Sequence, residues 1–291
     1  MQKVTITNGR GESLEMGLSP PFILCTLEGT GGNSTNVIMK TSPFQDGATY
    51  IGTFLEVKDL HFQVDIYAET PVELFELREQ IARIVSAKSG LGNLVFEYPG
   101  GEKQIEFTVD EEPAFLTGKA NRGPTYQRLT FSLVCPDPYW KDKSETIDEF
   151  ISITGGLEFP IDFPSQFGEI DVNTSKIIVN KGNAETPIKL VMDGPLTSPI
   201  RLTNETTGQT IEVKQDLLEG EKLVVITAFG KKRVEKIKTN GEVMNAFNYI
   251  NFLTTEFWSL QPGNNLISYS TGIEGELSPL YIEFNNKYTG V

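Results

Sequence analysis

The residues able to do chemistry in this chain are few and far apart. One histidine, His61, and two cysteines, Cys25 and Cys135, are all that 291 residues provide of those types. His61 lies in Leu60-His61-Phe62-Gln63-Val64-Asp65-Ile66, where alternation puts His61, Gln63 and Asp65 on the polar side of a strand. That placement predicts a solvent-facing side chain. A Ser-His-Asp site would want a nucleophile elbow of the form GxSxG, which the sequence lacks. A zinc site wants several Cys and His ligands, and the two cysteines stand 110 positions apart. No GxxxxGK[ST] or GxGxxG follows a strand, and no DxDxDG calcium loop is present. Asp110-Glu111-Glu112 could suggest the paired carboxylates of a glycosidase, but a charged loop after a strand accounts for it more plainly. The expectation is therefore a protein with no catalytic residues, no metal and no cofactor.

Aromatic residues of the second half offer one binding chemistry. Trp258, Phe257, Tyr249 and Tyr269 could form a platform for pyranose rings, with Trp258 and Tyr269 as the candidate glycan-stacking pair. The plainer expectation is that they fill a β core, where aromatics dominate the energetics.

Charge narrows the partners. Formal net charge is −14, with 13 basic and 20 acidic residues in 1–145 and 12 and 19 after that, so each half carries −7. Phosphate gripping needs clustered Lys and Arg. The densest basic run, Lys231-Lys232-Arg233 with Lys236 and Lys238, reads as a solvated turn and the outer side of a strand. An acidic surface repels DNA. No apolar run approaches the ~20 residues of a membrane span, and MQKVTITNGRGESLEM has no apolar signal core. Two cysteines do not make a disulfide framework, so synthesis in a reducing cytosol is expected.

One helix is well marked. Thr70-Pro71-Val72-Glu73 is a capping box with Pro at the first helical position. Leu74, Leu77, Ile81, Ile84 and Val85 recur at helical spacing, and Gly90 supplies a stop, which predicts a helix over 71–88 laid on a sheet. The remainder reads as strands. Pro99-Gly100-Gly101 between 93–98 and 103–109 is a hairpin signature. The stretch 125–135 alternates, with Leu129, Phe131, Leu133 and Cys135 inward; Cys25 is expected to be a small buried hydrophobe like Cys135. Glu28–Asn36, with three glycines and no apolar anchor, is expected to be a mobile loop. Pro136-Asp137-Pro138-Tyr139-Trp140 ends the strand pattern and reads as a domain junction, followed by the polar passage 141–146.

From Ile147 onward short strands alternate with turns, at 154–156, 180–183, 193–195, 203–208, 218–221, 239–241 and 261–265. In Trp258–Ser270, Pro262-Gly263 turns the chain, and Asn264 and Asn265 can bond their own backbone. The expected organisation is an α+β domain over 1–140, a linker over 141–146 and an all-β sandwich over 147–291.

Several of these stretches resemble the distal tail proteins of siphoviruses that infect Gram-positive bacteria. In the first half these are Gln45-Asp46-Gly47-Ala48-Thr49-Tyr50, Gly52-Thr53-Phe54-Leu55-Glu56, the Thr70-Pro71 helix start and Cys135-Pro136-Asp137-Pro138-Tyr139-Trp140. In the second they are Asn180-Lys181-Gly182-Asn183 before Pro187, Asp193-Gly194, Asn204 through Gly208, Trp258–Asn265 and Tyr288-Thr289-Gly290-Val291. Lys58 departs from the Arg that the family's strand is expected to carry. The resemblance implies a β-sandwich or split-barrel N-terminal domain with one helix and a β-hairpin, and a galectin-like or carbohydrate-module-like C-terminal sandwich. It also implies a homohexameric ring at the tail tip of the virion, contacting the tail-tube protein, a tail-associated hub or fibre protein and a receptor-binding protein, with DNA passing through and no membrane insertion. A glycan-binding module and a tail-associated hydrolase are the alternatives from other classes.

Overall fold

Alternating strands and one capped helix build the first half of the chain. In the computed structural model, which describes residues 2–154, 169–172, 175–273 and 278–291, the chain divides into two units. The first comprises Met1–Lys143 and Lys287–Val291, the second Ser144–Asn286. The last five residues, expected to end the second domain, thus return to the first.

In the first unit the elements run β1 (Lys3–Thr7), β2 (Ser13–Met16), β3 (Phe22–Glu28), β4 (Thr35–Lys40), β5 (Thr49–Leu55), β6 (Lys58–Tyr67), α1 (Pro71–Ile84), β7 (Gly92–Tyr98), β8 (Gly101–Phe115), β9 (Tyr126–Cys135) and β10 (Trp140–Asp142). The main sheet has the order β2-β1-β7-β8-β9-β6-β3. Strand β8 is long enough to serve two partners: Gly101–Phe107 pairs with β7 and Thr108–Phe115 with β9, with irregularities at Val109/Glu111 and Glu111/Ala114 that bend it. The two ends of this order meet where Gly17 bridges Ile23. Inside lie Val4, Ile6, Leu60, Val64, Leu94, Phe107, Leu129 and Leu133, with Phe62 stacked on Phe131 at 4.6 Å.

Helix α1 begins as expected. The Glu73 amide donates to Thr70 Oγ1 at 3.2 Å, and Glu73 reaches back to accept the Glu69 amide. It ends at Ile84 rather than at residue 88. Glu112 accepts both the Ser86 hydroxyl and the Ala87 amide, which draws the chain out of the helix into a short 3-10 turn, Ala87–Ser89. Leu74, Ile81 and Ile84 are buried, and so is Val85 just past the end, whereas Leu77 is half-buried.

The second unit contains β11 (Thr146–Glu149), β12 (Ile151–Thr154), β13 (Glu169–Val172), β14 (Ser175–Asn180), β15 (Thr186–Pro187), β16 (Lys189–Asp193), β17 (Ile200–Asn204), β18 (Gln209–Val213), β19 (Lys222–Ile226), β20 (Arg233–Ile237), β21 (Val243–Asn245), β22 (Ser259–Leu260), β23 (Gly263–Ser270) and β24 (Leu280–Phe284). Two sheets, β11-β24-β16-β19-β20-β21 and β14-β23-β17-β18, contribute to one core. Leu190, Val225 and Ile282 come from the first sheet, Leu202, Ile211 and Ile267 from the second. The turn expected at Thr154-Gly155-Gly156 falls partly outside the described residues. Strand β25 (Lys287–Tyr288) then rejoins the first unit, pairing with β10.

Candidate assembly surfaces

Each residue singled out for its chemistry has a definite place. His61 is exposed on β6. Glu112 and Asp110 take structural hydrogen bonds, Glu112 from Ser86 and Ala87 and Asp110 from Ser132. No group of three or more His, Cys, Asp or Glu could hold a metal among the described residues, and no described helix is long and apolar enough to cross a membrane. Cys135 is buried, and burial pushes its thiol up to about 12. Cys25 is exposed, contrary to expectation. The β3–β6 register slips between Leu24 and Thr26, so Cys25 sits on a bulge and leaves the inside–outside alternation.

The candidate glycan-stacking pair is also corrected. Trp258 and Tyr269 are 1% and 6% exposed, inside the core of the second unit, and neither ring offers a face to a sugar. The turn between them is held by a side chain that is itself buried. Asn265 accepts the Gln261 amide at 2.9 Å and donates to the carbonyls of Gln261 and Gly263, while Gly263 takes φ +89°. Asn180 and Asn204 are buried in the same way, each accepting the amide two residues on.

The expected junction Pro136–Trp140 is an integral part of the first unit. Trp140 is fully buried, and its indole donates to the Thr30 carbonyl at 3.2 Å. Pro138 accepts from the Asn33 amide group. Burial alone would raise the Asp137 pKa, but the ammonium groups of Lys141 at 2.9 Å and Lys287 at 3.2 Å hold it below the usual carboxylate value. Lys287 also lies over the Tyr139 ring. Lys58, 2% exposed, donates to three carbonyls: Gly29 at 3.3 Å, Gly31 at 2.6 Å and Thr289 at 3.2 Å. A compact ammonium carries three donors on one nitrogen, which matches three carbonyls converging on a single point. The Gly-rich loop expected to be mobile is therefore tied down through its backbone. Gly29 has φ +91°, and a Cβ there would lie 1.9 Å from the Asp59 oxygen.

The first unit also presents an exposed hairpin and a cleft. Strands β4 and β5 pair only with each other, as a two-stranded sheet. Val37, Ile38, Met39, Tyr50, Ile51 and Phe54 are all exposed on it. An isolated two-stranded hairpin is marginal in water, and apolar side chains on both faces ask for cover. Its tip is shaped by Gln45, whose amide donates to the Ser42 carbonyl and whose side chain bonds the Ser42 amide and Thr49 hydroxyl. Phe44, at that tip, is fully exposed with φ +62°. The stretch Gln45–Glu56 that carried the family resemblance lies on this element.

The cleft, of about 300 Å³, opens beside α1. Leu74, Phe75 and Phe115 wall it, with Arg78 and Arg122 at its margin. The Arg78 guanidinium lies between two rings, 4.2 Å from the centroid of Phe115 and 4.9 Å from that of Phe75. Neither Arg78 nor Arg122 forms an ion pair among the described residues. Sequence periodicity could place Arg78 on the helix but not reveal the cleft, because Phe115 arrives from the far end of β8.

Known proteins resemble this chain along most of its length. Residues 9–135 match the family model for the phage tail protein RIFT-related domain, and residues 181–288 match that for the siphovirus-type tail component, C-terminal domain. Among solved structures, that of SPP1 Dit (gp 19.1), described as a paradigm of hub adsorption apparatus in Gram-positive infecting phages, is 15% identical, covers 98% of each chain and has a TM-score of 0.68. A chain of the phage P2 baseplate in its activated conformation with Ca is 12% identical over 97% of this chain and 98% of that one, with a TM-score of 0.50. At these identities the likeness shows the fold. No curated protein sequence matches the chain.

Proposed function

The chain belongs to the siphovirus-type tail component family, and on that premise we propose that it is a structural distal tail protein, a ring-forming hub of the tail tip. The ring, six-fold by the family resemblance, joins the tail tube to baseplate, fibre or receptor-binding proteins. The hub description printed for SPP1 Dit supports this reading. In this chain's own geometry one observation carries it: β4 and β5 form an apolar hairpin with no sheet partner but each other. Such an arm is stable when laid on another molecule. An arm on one surface meeting a different surface of the next copy is a heterologous contact, the kind that closes into rings. A net charge of −14 suits a channel through which DNA passes without sticking. The second unit, a galectin-like sandwich in this reading, is the platform for fibre or receptor-binding proteins. Peptidoglycan or wall-polymer hydrolysis is not part of the role.

Solution mass by light scattering, with negative-stain images of the same sample, tests it. The expected result is a closed ring with a central hole, lost when residues 36–54 are replaced by a short Gly-Ser turn while thermal unfolding of the rest is kept. A ring that survives removal of the hairpin would refute the arm's role. A chain that stays monomeric at every concentration would count against the hub itself.

A further inference from the structure

We infer that the tip of the hairpin docks in the α1 cleft of a neighbouring copy, with the Phe44 ring seated against the apolar wall of Leu74 and Phe115 and the Asp46 carboxylate meeting Arg78 and Arg122. This rests on the ring reading and names its contact. The tip presents an aromatic ring wholly to solvent, from a residue with φ +62°. A bulky side chain rarely adopts that conformation, and its cost persists only where the surroundings hold it. Here Gln45 does so, through hydrogen bonds to both flanks. Two residues on, Asp46 is exposed and forms no ion pair among the described residues.

The cleft has the complementary chemistry. Its walls are apolar and aromatic, and its volume of about 300 Å³ accepts an aromatic side chain. In a chain with 39 acidic and 25 basic residues, two arginines without a carboxylate partner beside one apolar cleft are a local reversal of sign. A phenylalanine next to an aspartate is the occupant that satisfies both features. Arg78, already flanked by two rings, would gain a third aromatic neighbour and a carboxylate in a partly dry site. Within one copy Phe44 is fully exposed and Phe75 is 58% exposed, so the two do not cover each other. In a ring of identical chains, the occupant that carries this pairing of ring and carboxylate is the tip of a second copy. Tip and cleft are different surfaces of the same unit, so the contact is head-to-tail.

The full chain is tested as two variants, one with the tip removed (Phe44→Ala with Asp46→Ala) and one with the cleft altered (Phe75→Ala with Arg78→Glu). None of the four side chains lies in the buried core, so unfolding temperatures should stay near that of the unaltered chain, which is checked first. By light scattering each variant alone is expected to be monomeric at concentrations where the unaltered chain forms rings. Mixed one to one, they retain a single usable contact, the intact tip of one with the intact cleft of the other, and are expected to form a dimer of twice the monomer mass and nothing larger. Rings persisting in both variants, or a mixture that stays monomeric, would overturn the tip-to-cleft contact and leave the hub reading standing. An unaltered chain that is monomeric throughout counts against both.

Discussion

The ammonium group of Lys58 donates to the backbone carbonyl of Thr289, 231 positions away, at 3.2 Å. The same nitrogen holds Gly29 and Gly31, so one buried charge fastens a Gly-rich loop and the chain's C-terminal tail together. Around it Val291 donates to Thr30, Tyr288 pairs with Trp140, and Gly290 approaches Gly31 so closely that a Cβ would lie 2.9 Å from its backbone. The tail is a structural part of the first unit.

Replacing Lys58 by Met leaves three carbonyls without their common donor. The first unit should lose about 1.5–3 kcal/mol, the worth of hydrogen bonds to a charged group. Deleting Lys287–Val291 should cost at least as much, and the combined change should fall short of the sum of the two, because the Lys58–Thr289 bond is lost in both. Urea unfolding of the three variants checks this; full additivity would contradict the shared latch.

Acid should weaken the first unit through Asp65. Arg128 grips this buried carboxylate through Nε and Nη2, at 2.7 and 2.8 Å, and holds its pKa below the usual 3.8. A carboxyl whose pKa is depressed on folding contributes stability above its unfolded pKa and loses it as pH falls through the folded value. Unfolding temperature measured from pH 7 to pH 2 should therefore fall in the acid region, and Asp65→Asn should be less stable at pH 7 and closer to the parent at pH 2. A constant difference across that range would remove the linkage.

Packing of α1 is tested at two positions that share one sequence pattern. Ile81 is fully buried and Leu77 only partly. Ile81→Ala should cost about 2–5 kcal/mol, and Leu77→Ala clearly less. Equal losses in denaturant unfolding would mean the helix is rotated from the placement described here.

Limited proteolysis should begin at the hairpin tip. Residues 41–48 are exposed and lie at the end of an otherwise unpaired ribbon, whereas 29–34 is pinned by Lys58 and Trp140. Mass spectrometry of the first fragments identifies the cut. A first cleavage in 29–34 would show that the backbone latch does not hold, and protection of 41–48 in assembled rings would follow from the docking contact.

The features that local chemistry controls were legible in the sequence. Thr70-Pro71 starts α1 because cap and fixed φ act within one turn, and Pro99-Gly100 joins β7 to β8 because the two residues determine their own geometry. The turn at Pro262–Asn265 follows the same rule, since the bonds Asn265 makes to Gln261 and Gly263 reach no more than four positions along the chain. The alternation in β9 correctly predicted that Leu129, Phe131, Leu133 and Cys135 are buried, because a strand's faces follow directly from a period of two, whereas Ser132 on the opposite face is buried as well, donating to Asp110. Tertiary structure alone decided the rest. A bulge turned Cys25 outward, a carboxylate 25 positions from Ala87 ended α1 early, and Lys58 acquired partners in the Gly29–Gly31 loop and at Thr289. Nor does periodicity distinguish a hairpin that packs on its own sheet from one that stands alone, as β4 and β5 do; that depends on which long-range pairings win, and no window of neighbouring residues contains their energy.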